Sequence, residues 1–343
     1  MKTTEKMRGN GQLTGEPVIR AEGLARKFGE NAAVDGVDLS VAPGEIYGFL
    51  GPNGAGKTTT VRMLVTLLAP SAGSAEVAGL DVAKDPGAVR LRIGVALQEA
   101  ALDAKQTGFE ILQLQGRLYG LRRGEVKQRL ADLSKLIDLG DALQRPVGGY
   151  SGGMKRRLDL AAALVHNPSV LFLDEPTTGL DPVSRMKVWE EVRRLNDELG
   201  VTIFLTTQYL EEADALCDRV GIIDAGRIVA EGTPEELKRS VGQDLVLVSL
   251  RDGFRDSVRD GGEQSGVVER LRALEAVERV EAHGGEITVT TPDGPRAVGS
   301  VAVALAEDGV AVDGITLRTP TLDDVFLEVT GNRLLASEPE EAE

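Results

Sequence analysis

Eight residues constrain this chain more than any other stretch. Gly51–Thr58 reads GPNGAGKT and fits the spacing G-x-x-x-x-G-K-[S/T]. An apolar run, EIYGFLG at Glu45–Gly51, reads as a buried strand leading into it. TTVRMLVTLLAP at Thr59–Pro70 follows with helical patterning, which Pro70 should stop. Strand, glycine-rich turn and helix in that order give the spacing its physical meaning. Glycine permits tight backbone turns, so Gly51, Pro52, Asn53, Gly54, Ala55 and Gly56 form a concavity into which several N–H groups point. The helix start at Lys57, Thr58 and Thr59 adds partial positive charge that favours an anion. Lys57 reaches β- and γ-phosphates as a point charge, and Thr58 offers its hydroxyl to Mg²⁺.

Two more apolar strands end in working side chains. SVLFLDEP (Ser169–Pro176) delivers Asp174 and Glu175 to its tip, where Asp174 would support Mg²⁺ and Glu175 would polarise an attacking water. GVTIFLTT (Gly200–Thr207) is followed by Gln208, either a ligand-facing residue or a cap for the acidic helix after it. Just before the acidic strand lies YSGGMKRRLDLAAAL (Tyr150–Leu164). There Ser151 reads as a helix N-cap, and Gly152 and Gly153 leave N–H groups free for a second anion.

Residues 17–240 alternate apolar runs with amphipathic stretches, which points to an α/β core, with a helical insertion over about 99–160. In the insertion, GEVKQRLADLSKLIDL spaces its apolar residues three and four apart. Residues 241–331 read as a small α+β domain. Its strands are DLVLVSL, EITVTT and GITLRTP; its helices are VVERLRALEAV, PRAVGSVAVALAEDG and TLDDVFLEVTG. Residues 1–16 read as a disordered lead without the apolar segment of a signal peptide, and 332–343 as an acidic tail. No apolar run approaches the roughly 20 residues needed to span a bilayer. The net charge of −15 argues against a nucleic-acid partner. A single cysteine, Cys217, leaves no intramolecular disulfide and fits a reducing compartment.

In combination, these motifs resemble the ATP-binding subunit of an ATP-binding-cassette (ABC) transporter. YSGGM resembles that family's LSGGQ signature, and the order also matches: phosphate loop, Gln98 in GVALQEA, signature, LFLDEP, then TTGLDP at Thr177–Pro182. The resemblance covers about residues 17–235. It implies ATP and Mg²⁺ as cofactors, with two cassettes sandwiching two ATP molecules in an ATP-bound homodimer. Ser151–Gly153 of one copy would face the phosphate loop of the other, and Asp181 would lie at the contact between the sites. Phe28 would stack on adenine. Gln98 would touch Mg²⁺ or the water, and link to the helical insertion that meets a membrane-spanning permease. The chain would then sit on the cytoplasmic side of the membrane.

The signature departs from the pattern at Tyr150 and Met154 but keeps Ser-Gly-Gly. Gln208 stands where the family usually has histidine. Its amide donates a hydrogen bond to phosphate but is neither a cation nor a proton shuttle. TPTLDDVFLEVTG (Thr319–Gly331) and Gln208 both resemble the daunorubicin/doxorubicin-resistance branch, whose members energise drug export. Three other classes fit less well. A soluble regulatory or translation-associated cassette protein usually carries two phosphate loops, a DNA-repair cassette has a long coiled coil before its signature, and a small-molecule kinase leaves YSGGM unexplained.

Overall fold

The structure, a computed structural model, describes residues 16–97, 102–137, 139–251, 264–283 and 286–331. Gln98, the lead over residues 1–15 and the acidic tail lie outside the described residues. The described residues form two compact units, one ending at Pro234 and the other spanning Glu235–Gly331.

The first unit runs β1 (Ile19–Phe28), β2 (Asn31–Val41), β3 (Ile46–Leu50), α1 (Lys57–Leu64), β4 (Ala72–Val77), β5 (Leu80–Asp81), α2 (Pro86–Arg90), β6 (Ile93–Ala96), α3 (Gly108–Leu118) and α4 (Arg123–Leu136). It continues through α5 (Gly152–Leu164), β7 (Val170–Asp174), α6 (Pro182–Leu199), β8 (Thr202–Thr207), α7 (Leu210–Leu216), β9 (Arg219–Asp224) and β10 (Arg227–Gly232). The main sheet has the order β10-β9-β3-β8-β7-β6, parallel except for the edge strand β10. β3, β7 and β8 are buried at every position, as parallel strands covered on both faces must be. Their near-continuous apolar runs are what made them legible as strands. Phe204 of β8 anchors the interior, with ring centroids 5.5 Å from Tyr47 and 5.6 Å from Phe49 and Phe172.

Two features differ from the sequence reading. An antiparallel sheet, β2-β1-β4-β5, accompanies the α/β core, where the alternation of apolar and amphipathic runs had given no separate sheet. Its strands bury one face and present charge on the other, so their apolar signal is half that of a central strand. The helix read as running to Pro70 ends at Leu64. Thr66 adopts φ 65°, and the Leu67 and Leu68 amides turn back to the Arg62 carbonyl. The chain has therefore left the helix before proline can stop it.

The second unit takes in most of α8 (Pro234–Val241), then β11 (Asp244–Leu250), α9 (Gln264–Arg272), β12 (Arg279–His283), β13 (Glu286–Thr291), α10 (Gly294–Glu307), β14 (Val312–Arg318) and α11 (Leu322–Thr330). The antiparallel order β12-β13-β11-β14 with helices after β11 and β13 is a split β-α-β arrangement. Alternation along β11 and β13 sends Val246, Val248, Ile287 and Val289 into a core shared with Leu271, Val301 and Leu305. Strand β12 was missing from the sequence reading. Among the described residues, no helix is long and apolar enough to cross a membrane.

Candidate functional site

The phosphate-loop residues lie between the end of β3 and the start of α1, and β8 and β9 hold them there. The Gly51 amide donates to the Thr207 carbonyl at 3.2 Å. A Cβ on Gly51 would lie 2.3 Å from the Ile223 carbonyl oxygen, and one on Gly56, at φ 107°, would lie 2.5 Å from that of Ala33. Glycine is thus required at both positions, by packing at Gly51 and by packing and backbone sign at Gly56. The resulting cavity of about 320 Å³ is lined by residues that include Asn53, Gly54, Lys57, Thr58, Thr59 and Glu175.

Lys57 is buried. Its ammonium donates to the Gly51 carbonyl at 2.7 Å and the Pro52 carbonyl at 3.0 Å, and it pairs with Glu175 Oε1 at 3.4 Å. Burial pushes its pKa down, while Glu175 and then Asp174 pull it back up. Asp174 accepts from the Thr58 hydroxyl at 3.3 Å and from that of Thr206 at 2.5 Å. A threonine hydroxyl and a carboxylate so placed are the hard-oxygen pair that suits Mg²⁺, whose other positions waters and phosphates usually fill. The residues present therefore fit the metal.

Glu175 sits at φ 46°, a left-handed conformation that costs a non-glycine residue on the order of 1–3 kcal/mol. Its amide donates to the Thr206 carbonyl at 3.1 Å and hydroxyl at 3.0 Å, and Oε2 accepts from the Thr178 hydroxyl at 3.2 Å. The carboxylate is thereby aimed into the cavity beside Lys57. Gln208, half-buried, follows the last residue of β8. It is not the N-cap of the next helix, which is Tyr209, and the Tyr209 amide donates to the Thr207 hydroxyl at 2.9 Å.

The remaining predicted residues lie apart from the cavity lining. Ser151 caps α5 by accepting from the Met154 amide at 3.3 Å. Cβ atoms built on Gly152 and Gly153 would find neighbours only at 3.5 Å, in Leu180 and Ser184. Asp181 caps α6 by accepting from the Ser184 amide at 3.0 Å and hydroxyl at 2.6 Å, bonds that hold its carboxyl below the usual range. Phe28 is half exposed, with the Arg26 guanidinium 4.8 Å from its ring centroid. Tyr150, at the departure in the signature, is buried and donates to the Ala142 carbonyl at 2.5 Å.

The sequence reading missed two contributors. Thr206 bridges Asp174 and the Glu175 amide, and its only signal was the threonine doublet at the strand tip. Arg156, buried on α5, donates to the Leu97 carbonyl at 2.8 Å and Asp159 at 3.2 Å, and approaches the Asp174 carbonyl at 3.5 Å. It joins the helix that begins with the signature to the ends of β6 and β7. A basic residue in a helix carrying several others gave no sign of this.

The profile of the family described as "ABC transporter" matches residues 34–178, and that of "ATP-binding protein DrrA1-3-like, C-terminal domain" matches residues 232–330. The chain is 47% identical over 317 residues to the daunorubicin resistance ATP-binding protein DrrA3 of Streptomyces coeruleorubidus, covering 92% of this chain and 97% of that one. It is 44% identical over 315 residues to the daunorubicin/doxorubicin resistance ATP-binding protein DrrA of Streptomyces peucetius, covering 92% of each. Among solved structures, cbiO1 from Clostridium perfringens, part of the ABC transporter complex cbiONQ, superposes with TM-score 0.61 at 27% identity, covering 65% of this chain and 91% of that one.

Proposed function

The chain belongs to the ABC transporter family of ATP-binding subunits, in its daunorubicin/doxorubicin-resistance branch, and from that premise we propose that its ATPase activity energises a drug or lipid-like exporter. The observation that carries the reading is the cluster of Lys57, Thr58 and Glu175 on the cavity lining, with Asp174 behind them on the Thr58 hydroxyl. Among the described residues, no other feature combines a phosphate cradle with a metal-binding oxygen pair and a carboxylate beside them.

The loop amides and Lys57 hold the phosphate tail and neutralise its charge. Thr58 and Asp174 would hold Mg²⁺, which when bound supplies charge neutralisation at the β- and γ-phosphoryl oxygens. Glu175 orients the attacking water and takes its proton. Gln208 donates a hydrogen bond toward the γ-phosphate, and Gln98 would contact Mg²⁺ or the attacking water, as the family resemblance implies. Phe28 presents its free face to adenine, with Arg26 on the ring. Ser151, Gly152 and Gly153 of a second copy close the site, and Asp181 lies between the two sites of the dimer. The split-site argument supports a homodimer, and the family resemblance supports a separate permease that holds the chain at the cytoplasmic face.

Gentle detergent extraction of the tagged chain from its native cells tests this. A polytopic membrane protein should co-purify in stoichiometric amount, and its presence should stimulate ATP hydrolysis. A preparation that carries ribosomes, or that brings no polytopic membrane protein with it, would sink the exporter assignment.

A further inference from the structure

We propose that Glu212, a buried carboxylate on α7, is a positioning residue for hydrolysis: it anchors the strained turn at Glu175 and ties that turn to the helix beginning just after Gln208. The proposal rests on the reading of Glu175 as the water-activating group.

Glu212 is fully buried, which is uncommon for a carboxylate and costs stability unless it is hydrogen-bonded. Its Oε1 accepts from the Thr177 hydroxyl at 2.8 Å and from the Trp189 indole at 2.9 Å. Thr207, at the end of β8, is a further side-chain neighbour that favours its charged form. An apolar side chain of similar volume would fill this space without the desolvation cost. The reason for a carboxylate must therefore lie in what it holds.

What it holds is the catalytic loop. Thr177, itself fully buried, follows Glu175 by two residues. Glu175 sits at φ 46°, and such a conformation persists only where its surroundings over-determine it. Upstream, the Glu175 amide is fixed by the Thr206 carbonyl and hydroxyl at the end of β8. Downstream, the Thr178 amide closes a turn onto the Glu175 carbonyl at 3.3 Å, and the Leu180 amide closes another onto Thr177 at 3.2 Å. Neither turn fixes the loop to the body of the protein. The Thr177–Glu212 bond does. Because α7 starts at Leu210, the same bond links the residues around Gln208 to the loop bearing Glu175. Trp189 adds α6, the helix that Asp181 caps. A displacement of Gln208 toward phosphate is thus passed to Glu175 through one carboxylate.

The test uses the full chain in single-turnover hydrolysis at saturating MgATP, with nucleotide affinity and melting temperature measured alongside. Glu212→Leu removes the acceptor at similar volume, and Thr177→Val removes the donor. Each should lower the saturated rate about tenfold, the size of one hydrogen bond to a charged group, with ATP affinity within about twofold. The double variant should be no slower than the slower single one, because both break one link. Glu212→Gln, which keeps an acceptor oxygen, should recover most of the rate. Wild-type rate in Glu212→Leu, losses that multiply in the double variant, or a slowing that tracks lost ATP affinity would overturn the proposal. If Glu212→Leu does not fold, Thr177→Val against Glu212→Gln reads the same link. Glu175→Gln runs in parallel: a wild-type rate there removes the premise itself, and is seen without reference to Glu212.

Discussion

Lys57 shows how one side chain is prepared for an anion. Its ammonium lies among two carbonyls and a carboxylate, so the cation stays charged although burial works against it. Glu175 is the other half of that pair and the group with no substitute. Glu175→Gln should lower the hydrolysis rate by at least about 100-fold, the usual size of a general-base contribution, while ATP affinity changes little. Rapid-quench hydrolysis beside equilibrium nucleotide binding separates the two quantities. Gln208 offers one hydrogen bond and no proton. Gln208→Ala should therefore slow the saturated rate by about 10–100-fold, matching roughly 1.5–3 kcal/mol for a bond to a charged group. Hydrolysis at wild-type speed would end the phosphate-sensing role, and the capping role is already excluded by Tyr209.

Between elements, close approach and buried charge decide what is tolerated. β3 passes so near the end of α7 that a Cβ on Gly48 would lie 2.5 Å from the Cys217 sulfur. Gly48→Ala should destabilise by about 1–3 kcal/mol, as overpacking does. Adding Cys217→Ala should restore part of it in chemical denaturation, since the sulfur is the obstacle. On α5, burial pushes the Asp159 carboxyl up to about 6, with Arg156 pulling the other way. A carboxyl whose folded pKa lies above its ordinary 3.8 favours the fold when protonated. That contribution is complete below the unfolded value and is lost as pH rises through about 6. Relative to Asp159→Asn, the wild-type chain should therefore lose up to about 3 kcal/mol between roughly pH 4 and 7. Urea titrations of both proteins across that range would measure it, and parallel stability curves would refute it.

At the scale of the whole molecule, binding at one cavity should stabilise the unit that contains it. With ATP at about 100 times its Kd, residues in the first unit that exchange by its full unfolding should gain about 2.7 kcal/mol of hydrogen-exchange protection. Glu175→Gln should show the same gain, because it binds but does not turn over. The chemistry was legible before any fold was known. Lys57, Thr58, Asp174 and Glu175 stand at strand tips and a helix start, where spacing alone suggested the roles proposed for them. The buried strands β3, β7 and β8 announced themselves as apolar runs, and β11 and β13 by alternation. Half-exposed β1 and β2, and β12, whose pairing is with β13, carry too little apolar signal to separate from loops. Local sequence thus determined the nucleotide chemistry and the α/β class, because phosphate cradles and central strands are made by residues adjacent in the chain. Only tertiary structure decided where α1 stops, that Thr206 braces Asp174, that Arg156 joins the signature helix to two strands, and that Glu212 reaches Thr177. The last three are contacts between residues far apart in sequence, and burial, which a sequence does not display, gives them their strength.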